Sequence, residues 1–274
     1  MSRIAGVFDA LRQSGRKALI PYVVAGDPDP TGTVALLHEL VASGADVIEV
    51  GVPFSDPMAE GPVIQKGHER ALANGMTLRK VLSSVAEFRQ QNTQTPIVMM
   101  GYANPIERFG YEAFADACAE AGVDGLITVD LPPEEVDAID TALQAVGLDN
   151  IFLISPTTPE SRIKTIVDRA RGFIYCVAVK GVTGSGQLDT EEVSESVALI
   201  RSKTTLPIAV GFGIKDAESA RAVAAAADAV VVGSALIDKM EQEAAAGNTS
   251  QIQVHGAAVK LLESIRAGVD SSPS

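Results

Sequence analysis

The run Val47-Ile48-Glu49-Val50-Gly51-Val52-Pro53-Phe54-Ser55-Asp56-Pro57-Met58-Ala59-Glu60-Gly61-Pro62 begins as an apolar strand and passes into a loop with three prolines. A carboxylate inside a strand is costly, because a buried acid must be paired, hydrogen-bonded or neutralised. Glu49 is flanked on both sides by isoleucine and valine, so packing alone does not explain its presence. We therefore predict that Glu49 is a general acid–base residue.

Apolar runs of this kind recur along the chain and alternate with segments of helical period. The runs are rich in valine and isoleucine and nearly continuous in apolar character, which is typical of parallel strands buried on both faces. The predicted strands cover residues 18–24, 46–50, 97–100, 125–129, 151–154, 173–177, 208–210 and 229–232. The predicted helices cover residues 31–43, 78–90, 111–121, 134–145, 160–170, 191–202, 217–226 and 251–267.

Residues that favour helix ends agree with this alternation. Asp216 is expected to cap the helix that follows it, and Thr158 is expected to cap the helix near residue 160. Gly44, Gly122 and Gly147 follow predicted helices, at the position where a left-handed residue commonly ends a helix.

The number of strand-plus-helix units predicts the fold. Eight such units in roughly 250 residues indicate an α/β protein with the (β/α)8 TIM barrel fold. A doubly wound open sheet is the alternative, but it usually has a glycine fingerprint after its first strand, and Val24-Ala25-Gly26-Asp27-Pro28 lacks one. We expect a single barrel domain over residues 1–267, with an extra N-terminal segment and additional helices, and a short polar tail over residues 268–274.

The composition argues against several classes of function. The formal net charge of -13 argues against nucleic acid as a partner, since binding to phosphate backbones needs clustered lysine and arginine. The N-terminus shows no secretory signal and no apolar run approaches the ~20 residues that span a bilayer, so we expect a cytoplasmic protein and no membrane contact. Cys118 and Cys176 are expected to be reduced. We interpret His38, His68 and His255 as packing or helix-surface residues, and we expect no metal site.

In a barrel of this kind, the loops that follow the strands form the active face. Gly211-Phe212-Gly213-Ile214 follows the seventh predicted strand and Gly233-Ser234-Ala235 follows the eighth, where this fold commonly binds phosphate. Glycines let backbone N–H groups approach a ligand, and a helix N-terminus adds partial positive charge. We therefore predict phosphate binding at these two loops.

A third loop follows the sixth predicted strand. Lys180-Gly181-Val182-Thr183-Gly184-Ser185-Gly186 combines glycines with small hydroxyl residues and has no large side chain to anchor it. We predict a mobile lid, with Thr183 closing over the site and hydrogen-bonding an acid such as Glu49. A flexible linker between elements is the alternative.

Together these motifs resemble the family of tryptophan synthase α subunits. The match covers almost the whole chain in the right order, and its most specific part is the run from Glu49 to Pro57 followed by Gly61-Pro62 and Gln65. The other matching segments are Tyr102-Ala103-Asn104-Pro105, residues 125–132, Gly181-Val182-Thr183-Gly184, Gly211-Phe212-Gly213-Ile214 and Gly233-Ser234.

The resemblance implies a reaction and two acids. It implies retro-aldol cleavage of indole-3-glycerol phosphate to indole and glyceraldehyde 3-phosphate, without a cofactor in this chain. Glu49 matches the family's proton shuttle between the glycerol hydroxyl and indole C3, and Glu60 matches the second acid, which hydrogen-bonds the indole N–H. The family has aspartate where this chain has Glu60, and the extra methylene moves the carboxylate by about 1.5 Å. We expect Glu60 to keep the role with reduced efficiency.

The resemblance also implies a pocket and a partner. The phosphate-binding positions match Gly184, Phe212, Gly213, Gly233 and Ser234. The positions that line or adjoin the indole pocket and its lid match Tyr22, Tyr102, Tyr175, Phe212 and Thr183. The positions that dock the β subunit match Pro53, Asp56, Pro57, Asn104 and Pro132. In this family the β subunit carries pyridoxal phosphate and receives the indole within an αββα heterotetramer.

Two alternatives stay open at this point. Another phosphate-binding barrel enzyme, such as indoleglycerol phosphate synthase, would need a catalytic lysine near the barrel centre, and Lys180 is the only lysine at the end of a predicted strand. The other alternative is a catalytically impaired subunit that serves as a docking and allosteric partner of the β subunit. The glutamate at position 60 is the feature that favours it.

Overall fold

The computed structural model describes residues 2–178, 190–211, 213–248 and 250–272. Within these ranges the strands close into a barrel in sequence order, and each strand pairs in parallel with its neighbours, including β8 with β1. The predicted (β/α)8 barrel is therefore confirmed. The strands are β1 (Ala18–Val24), β2 (Ile48–Gly51), β3 (Ile97–Gly101), β4 (Gly125–Thr128), β5 (Asp149–Ile154), β6 (Ile174–Val177), β7 (Ile208–Gly211) and β8 (Ala229–Val232).

Helices surround the barrel, and a short 3-10 turn covers Pro30–Gly32. In the described part of the chain they are α1 (Arg3–Gln13), α2 (Thr33–Ala42), α3 (Pro62–Ala73), α4 (Leu78–Arg89), α5 (Ala103–Phe109), α6 (Tyr111–Ala121), α7 (Asp137–Ala145), α8 (Glu160–Arg169), α9 (Thr190–Arg201), α10 (Ala217–Ala224), α11 (Ser234–Ala245) and α12 (Gln251–Asp270). The sequence predicted additional helices without their bounds. In the structure these additional helices are α1, α3, α5 and α11.

The barrel interior is an apolar core that α1 closes from below. Ile4, Phe8 and Leu11 of α1 pack against interior residues from the strands, and the ring of Phe8 lies 5.8 Å from that of Phe173. Burying an aliphatic or aromatic side chain of this size stabilises the fold by roughly 1.5–3 kcal/mol. The N-terminal segment therefore plugs the end of the barrel opposite to the strand ends that carry the predicted site.

Aspartates at the amino ends of the strands tie neighbouring strands together. Asp46 accepts a hydrogen bond from the backbone N–H of Leu19, and Asp228 accepts one from the N–H of Ile208. Asp124 accepts from the N–H of Ile97 and pairs with Arg89 at 2.7 Å. These buried or half-buried acids stabilise the barrel and lie away from its active face.

Most predicted elements differ from the structure by one to three residues at one or both ends. Helix α12 ends at Asp270 rather than at residue 267, because Val269 is buried against the rest of the molecule. Helix α7 begins at Asp137, three residues later than predicted. Thr158 does not cap α8, because its hydroxyl accepts the N–H of Ser155 instead. The predicted cap at Asp216 is confirmed, since its carboxylate accepts the N–H of Ser219 at 2.8 Å.

Candidate active site

Glu49 lies on β2 and points into the barrel. It shares a strand face with Val47 and Gly51 because alternate residues of a strand point the same way, and Val47 belongs to the interior core. Glu49 is 1% exposed, and neither of its carboxylate oxygens has a hydrogen-bond partner among the described residues. Burial, together with the negative charge of Glu60, raises its pKa to about 8. Such a group exchanges protons near neutral pH.

Glu60, the other predicted catalytic acid, lies near the end of the loop of residues 53–62. Its Oε2 atom accepts a hydrogen bond from the hydroxyl of Tyr102, and that hydroxyl in turn accepts the backbone N–H of Ala59 at 3.2 Å. Burial raises the pKa of Glu60, the bond from Tyr102 lowers it, and the charge of Asp130 raises it. The pKa of Glu60 is raised overall, because burial outweighs the hydrogen bond from Tyr102, and that bond fixes the direction of the long side chain.

Aromatic side chains surround the two acids. Tyr22 is paired in register with Glu49 on the neighbouring strand, and the ring of Phe54 stacks on that of Tyr102 at 4.9 Å. Burial and the charges of Glu60 and Glu49 raise the pKa of Tyr22, so its hydroxyl stays protonated. Burial and the charge of Glu49 do the same to the pKa of Tyr175. The structure thus brings the predicted indole-pocket tyrosines together around Glu49 and Glu60.

Two glycines make room for these tyrosines. A methyl group on Gly51 would lie 2.3 Å from the hydroxyl oxygen of Tyr22, and one on Gly211 would lie 2.1 Å from the hydroxyl oxygen of Tyr175. Both distances are far below van der Waals contact, so larger residues do not fit without displacing the rings. The tyrosine hydroxyls therefore lie over the carboxyl ends of β2 and β7.

His68 is a site residue that the sequence interpretation missed, since it was treated as a packing or surface residue. It lies on α3 and is 1% exposed. Its Nδ1 atom accepts the backbone N–H of Phe54 at 3.0 Å, and its Nε2 atom lies 3.3 Å from the hydroxyl of Tyr22. Burial lowers its pKa to about 4, so the ring is neutral near pH 7. The sequence offered no signal, because both partners are distant from it along the chain.

The predicted phosphate loops follow adjacent strands. Gly213 has a positive φ of 83° after β7, and Gly233 precedes the first residue of α11, Ser234, after the neighbouring β8. No side chain of the described residues caps the N-terminus of α11, so its first backbone N–H groups are available to an anion. Thr183, Gly184 and Phe212, which were predicted for the lid and the phosphate site, lie outside the described residues.

The predicted interface residues follow β2, β3 and β4, and they lie in loops except for Asn104, which is in the first turn of α5. Asp56 and Asn104 are exposed, Pro57 and Pro132 are partly exposed, and Pro53 is buried at the start of the loop. Met58, in the same loop as Asp56 and Pro57, is 77% exposed. The loops after β3 and β4 are joined by Asp130, which accepts the N–H of Ala103 at 2.7 Å.

Other features of the described residues do not point to a different site. A cavity of about 610 Å³ lies at the amino ends of the strands, lined partly by Asp9, Arg12 and Arg171, and it contains neither Glu49 nor Glu60. In the described ranges, no cluster of three or more His, Cys, Asp or Glu side chains is arranged to hold a metal ion. No helix in these same ranges is long and apolar enough to cross a bilayer.

The chain is similar to known proteins over nearly its full length. A family model described as tryptophan synthase alpha chain matches residues 8–266. The tryptophan synthase alpha chain of Thioalkalivibrio sulfidiphilus is 59% identical over 250 residues, which cover 90% of this chain and 94% of that protein. The one from Marinobacter nauticus is 53% identical over 271 residues, 99% of each chain. The crystal structure of tryptophan synthase subunit alpha from Legionella pneumophila superimposes with a TM-score of 0.91 at 44% identity, covering 98% of this chain and 99% of that one.

Proposed function

The chain belongs to the tryptophan synthase alpha chain family, a lyase family that cleaves indole-3-glycerol phosphate, and on that premise we propose which of its residues perform the reaction. Glu49 is the proton shuttle and Glu60 is the second acid. The observation that carries this proposal is the buried carboxylate of Glu49, with both oxygens unpartnered among the described residues and a pKa near 8. A structural acid at that position would have a partner.

Glu49 performs both proton transfers of the reaction. Its carboxylate takes the proton from the glycerol hydroxyl next to the indole ring, and the protonated acid supplies a proton to indole C3. The bond between C3 and the glycerol carbon then breaks, its electron pair returns to the ring, and the hydroxyl carbon becomes the aldehyde of glyceraldehyde 3-phosphate. A pKa close to the working pH suits a group that must both accept and donate.

Glu60 stabilises the charge that develops on the indole nitrogen. As C3 is protonated, the ring becomes cationic, and a carboxylate that accepts the N–H hydrogen bond lowers the energy of that state. Tyr102 holds one oxygen of Glu60, and the other has no hydrogen bond with any described residue. That second oxygen is the one we assign to the indole N–H.

The remaining site residues bind the substrate. Tyr22, Tyr102 and Tyr175 form the wall of the indole pocket. Gly213, Gly233 and Ser234 bind the phosphate through backbone N–H groups, together with Gly184 and Phe212, and Thr183 belongs to the lid. The N-terminus of α11, which no described side chain caps, supports this assignment, because it offers donors and partial positive charge within a chain of net negative charge.

We also propose that the chain docks on a tryptophan synthase β subunit. The docking surface consists of Asp56, Pro57, Asn104 and Pro132, and Pro53 is buried where their loop leaves the barrel. The exposed side chain of Met58 adds apolar area to this surface. The complex would be an αββα heterotetramer in the cytoplasm, with pyridoxal phosphate held by the β subunit. Indole released beside loop 53–62 would then pass to that partner.

The substitution Glu49→Gln tests the proposal. Gln keeps the size of the side chain and cannot shuttle a proton, so we expect indole release to fall at least a hundredfold. Binding of a non-cleavable indole alkyl phosphate should stay intact. Glu69→Gln, at an exposed acid of α3, is the matched control and should keep the parent rate. Residual turnover of Glu49→Gln within about tenfold of the parent would refute the assignment of the base.

The docking-only alternative is favoured by one observation, the glutamate at position 60. Indole formation by the purified chain, measured with and without β subunit, separates the two functions. Activity in either case supports the enzyme, whereas intact β-subunit binding with no activity in both cases supports a docking and allosteric role.

A further inference from the structure

The hydrogen bonds of His68 define the protonation of its ring. A backbone N–H can only donate, so the Nδ1 atom that faces Phe54 must carry a lone pair and no proton. In the neutral ring the proton is then on Nε2, which donates to the hydroxyl oxygen of Tyr22. The hydroxyl proton of Tyr22 is left free to donate to a third group.

This chain of hydrogen bonds runs from a surface loop to the barrel interior. Phe54 belongs to loop 53–62, which also carries Glu60, and its ring stacks on Tyr102, the residue that holds Glu60. At the interior end of this chain of hydrogen bonds, the hydroxyl of Tyr22 occupies the space that a side chain on Gly51 would fill. Gly51 is two residues beyond Glu49 and lies on the same face of β2.

We propose that His68 is a positioning residue for the lyase reaction, which holds loop 53–62 and the Tyr22 hydroxyl in one hydrogen-bonded arrangement between Glu60 and Glu49. The proposal rests on the assignment of these two acids. His68 does not reach the substrate itself. It holds Glu49 and Glu60 at a fixed distance from each other. A shift of ~1 Å in either acid would slow the reaction strongly.

Two substitutions of His68 separate its two bonds. His68→Asn places an amide oxygen near the position of Nδ1, so it keeps the bond to Phe54 and loses the one to Tyr22. His68→Gln places an amide nitrogen near the position of Nε2, so it keeps Tyr22 and loses Phe54. We expect each to lower kcat about three- to tenfold, the effect of one hydrogen bond, while KM stays within about twofold.

Tyr22→Phe removes the hydroxyl that bonds to Nε2 of His68, so it can be combined with His68→Asn in a double-mutant cycle. We expect the pair His68→Asn and Tyr22→Phe to be non-additive, with a double variant no slower than the slower single variant. If the double variant is slower by the product of the two single effects, the residues act independently and the proposal is wrong. Unchanged kcat in both His68 variants would also overturn it.

Hydrogen exchange at the Phe54 amide tests the loop end of the chain without any assay of activity. We expect faster exchange in His68→Leu, which has no acceptor, and parent-like exchange in His68→Asn. Equal exchange in His68→Leu and the parent would show that His68 does not hold the loop. This measurement also distinguishes the two proposals: a parent chain that releases no indole contradicts the proposed function, and the exchange result then decides the role of His68.

His255→Asn is the matched control. His255 is also buried and hydrogen-bonded, with its Nδ1 atom 2.9 Å from Glu39, but it lies on α12 outside the site. We expect this variant to lower the melting temperature and keep kcat. Loss of kcat in His255→Asn as large as in His68→Asn would mean that general destabilisation explains the effect, and the positioning role would be rejected.

Discussion

Glu49 is a residue whose chemistry conflicts with the stability of the fold. Its carboxyl group is fully buried, unpartnered among the described residues and has a pKa near 8. Ionising such a group inside the barrel costs free energy that no described contact offsets. Residues kept at a cost to stability are typical of active sites. The raised pKa of Glu49 also leads to a prediction about stability that does not depend on catalysis.

Glu49→Gln should stabilise the folded chain, and increasingly so as the pH rises. In the folded parent, the pKa of Glu49 is raised from the ordinary 4.5 to about 8. Between these two pH values the folded chain keeps a proton that the unfolded chain releases. The parent therefore loses stability as the pH rises through this range. Gln does not titrate. We expect the free energy of unfolding of the variant to exceed that of the parent by on the order of a few kcal/mol at pH 9 and only slightly at pH 5. Denaturant unfolding measures this difference.

Glu69→Gln is the control for this effect as well. Its carboxylate is exposed, so replacing it removes no buried charge and should not reproduce the stability gain of Glu49→Gln. A stability difference between Glu49→Gln and the parent that is constant from pH 5 to pH 9 would contradict a raised pKa at Glu49.

Glu60 is the second residue whose identity changes the outcome. Its side chain is longer than that of an aspartate by about 1.5 Å, one C–C bond length, and its carboxylate accepts a hydrogen bond from the hydroxyl of Tyr102. We predict that Glu60→Asp raises kcat, by as much as about a hundredfold if the displacement is fully corrected. Steady-state rates of indole release check this. An unchanged or lower kcat would mean that Glu60 is already well placed.

At the scale of elements, loop 53–62 joins the chemistry to the surface. It leaves β2 at the buried Pro53 and ends where Pro62 opens α3, at a first-turn position that proline favours. Between these fixed ends, Tyr102 holds Glu60 and His68 holds Phe54. The loop is therefore attached to the barrel at several points, and it presents Met58 to solvent.

Helix α10 gives a test of local helix-end chemistry. Asp216 and Ser219 form a reciprocal capping box, which the sequence predicted in part. We expect Asp216→Ala to lower the free energy of unfolding by ~1 kcal/mol, because it leaves backbone N–H groups of the first turn without an acceptor. Asp216→Asn keeps an acceptor and should cost much less. Equal losses in both variants, measured by denaturant unfolding, would contradict a capping role.

At the scale of the whole molecule, α12 closes the helical layer. It packs on α10 and α11, and Gly268 approaches the start of α10 so closely that a methyl group there would lie 2.3 Å from the carbonyl oxygen of Ala217. Asp270 pairs with Arg266 at 2.6 Å and with Arg16 at 3.3 Å. The last turn of α12 thus belongs to the folded domain.

Truncation tests where the domain ends. Deleting residues 268–274 removes the buried Val269 and the ion pairs of Asp270, and we expect a loss of roughly 2–4 kcal/mol in the free energy of unfolding. Deleting residues 271–274 keeps those contacts and should cost less than about 1 kcal/mol. Indistinguishable midpoints of thermal unfolding for the two truncated chains would support a boundary at residue 267 instead.

The sequence by itself determined the eight-fold alternation and the position of Glu49. Strand and helix periodicity are local, and a glutamate in an apolar strand is visible without any knowledge of what surrounds it. The predicted bounds of β1, β8 and α6 agree fully with the structure for that reason. The predicted end of α12 does not agree, because burial of Val269 against distant elements lets the helix continue to Asp270.

Only the tertiary structure decided the surroundings of the two acids. The raised pKa of Glu49 comes from water excluded by the closed barrel, and the direction of Glu60 comes from Tyr102, which is 42 residues away along the chain. His68 looked like an ordinary packing residue until its two partners, Phe54 and Tyr22, were brought to it by the folding of α3 against β1. Hydrogen bonds and desolvation depend on distance in space, and local patterns in the sequence do not contain that distance.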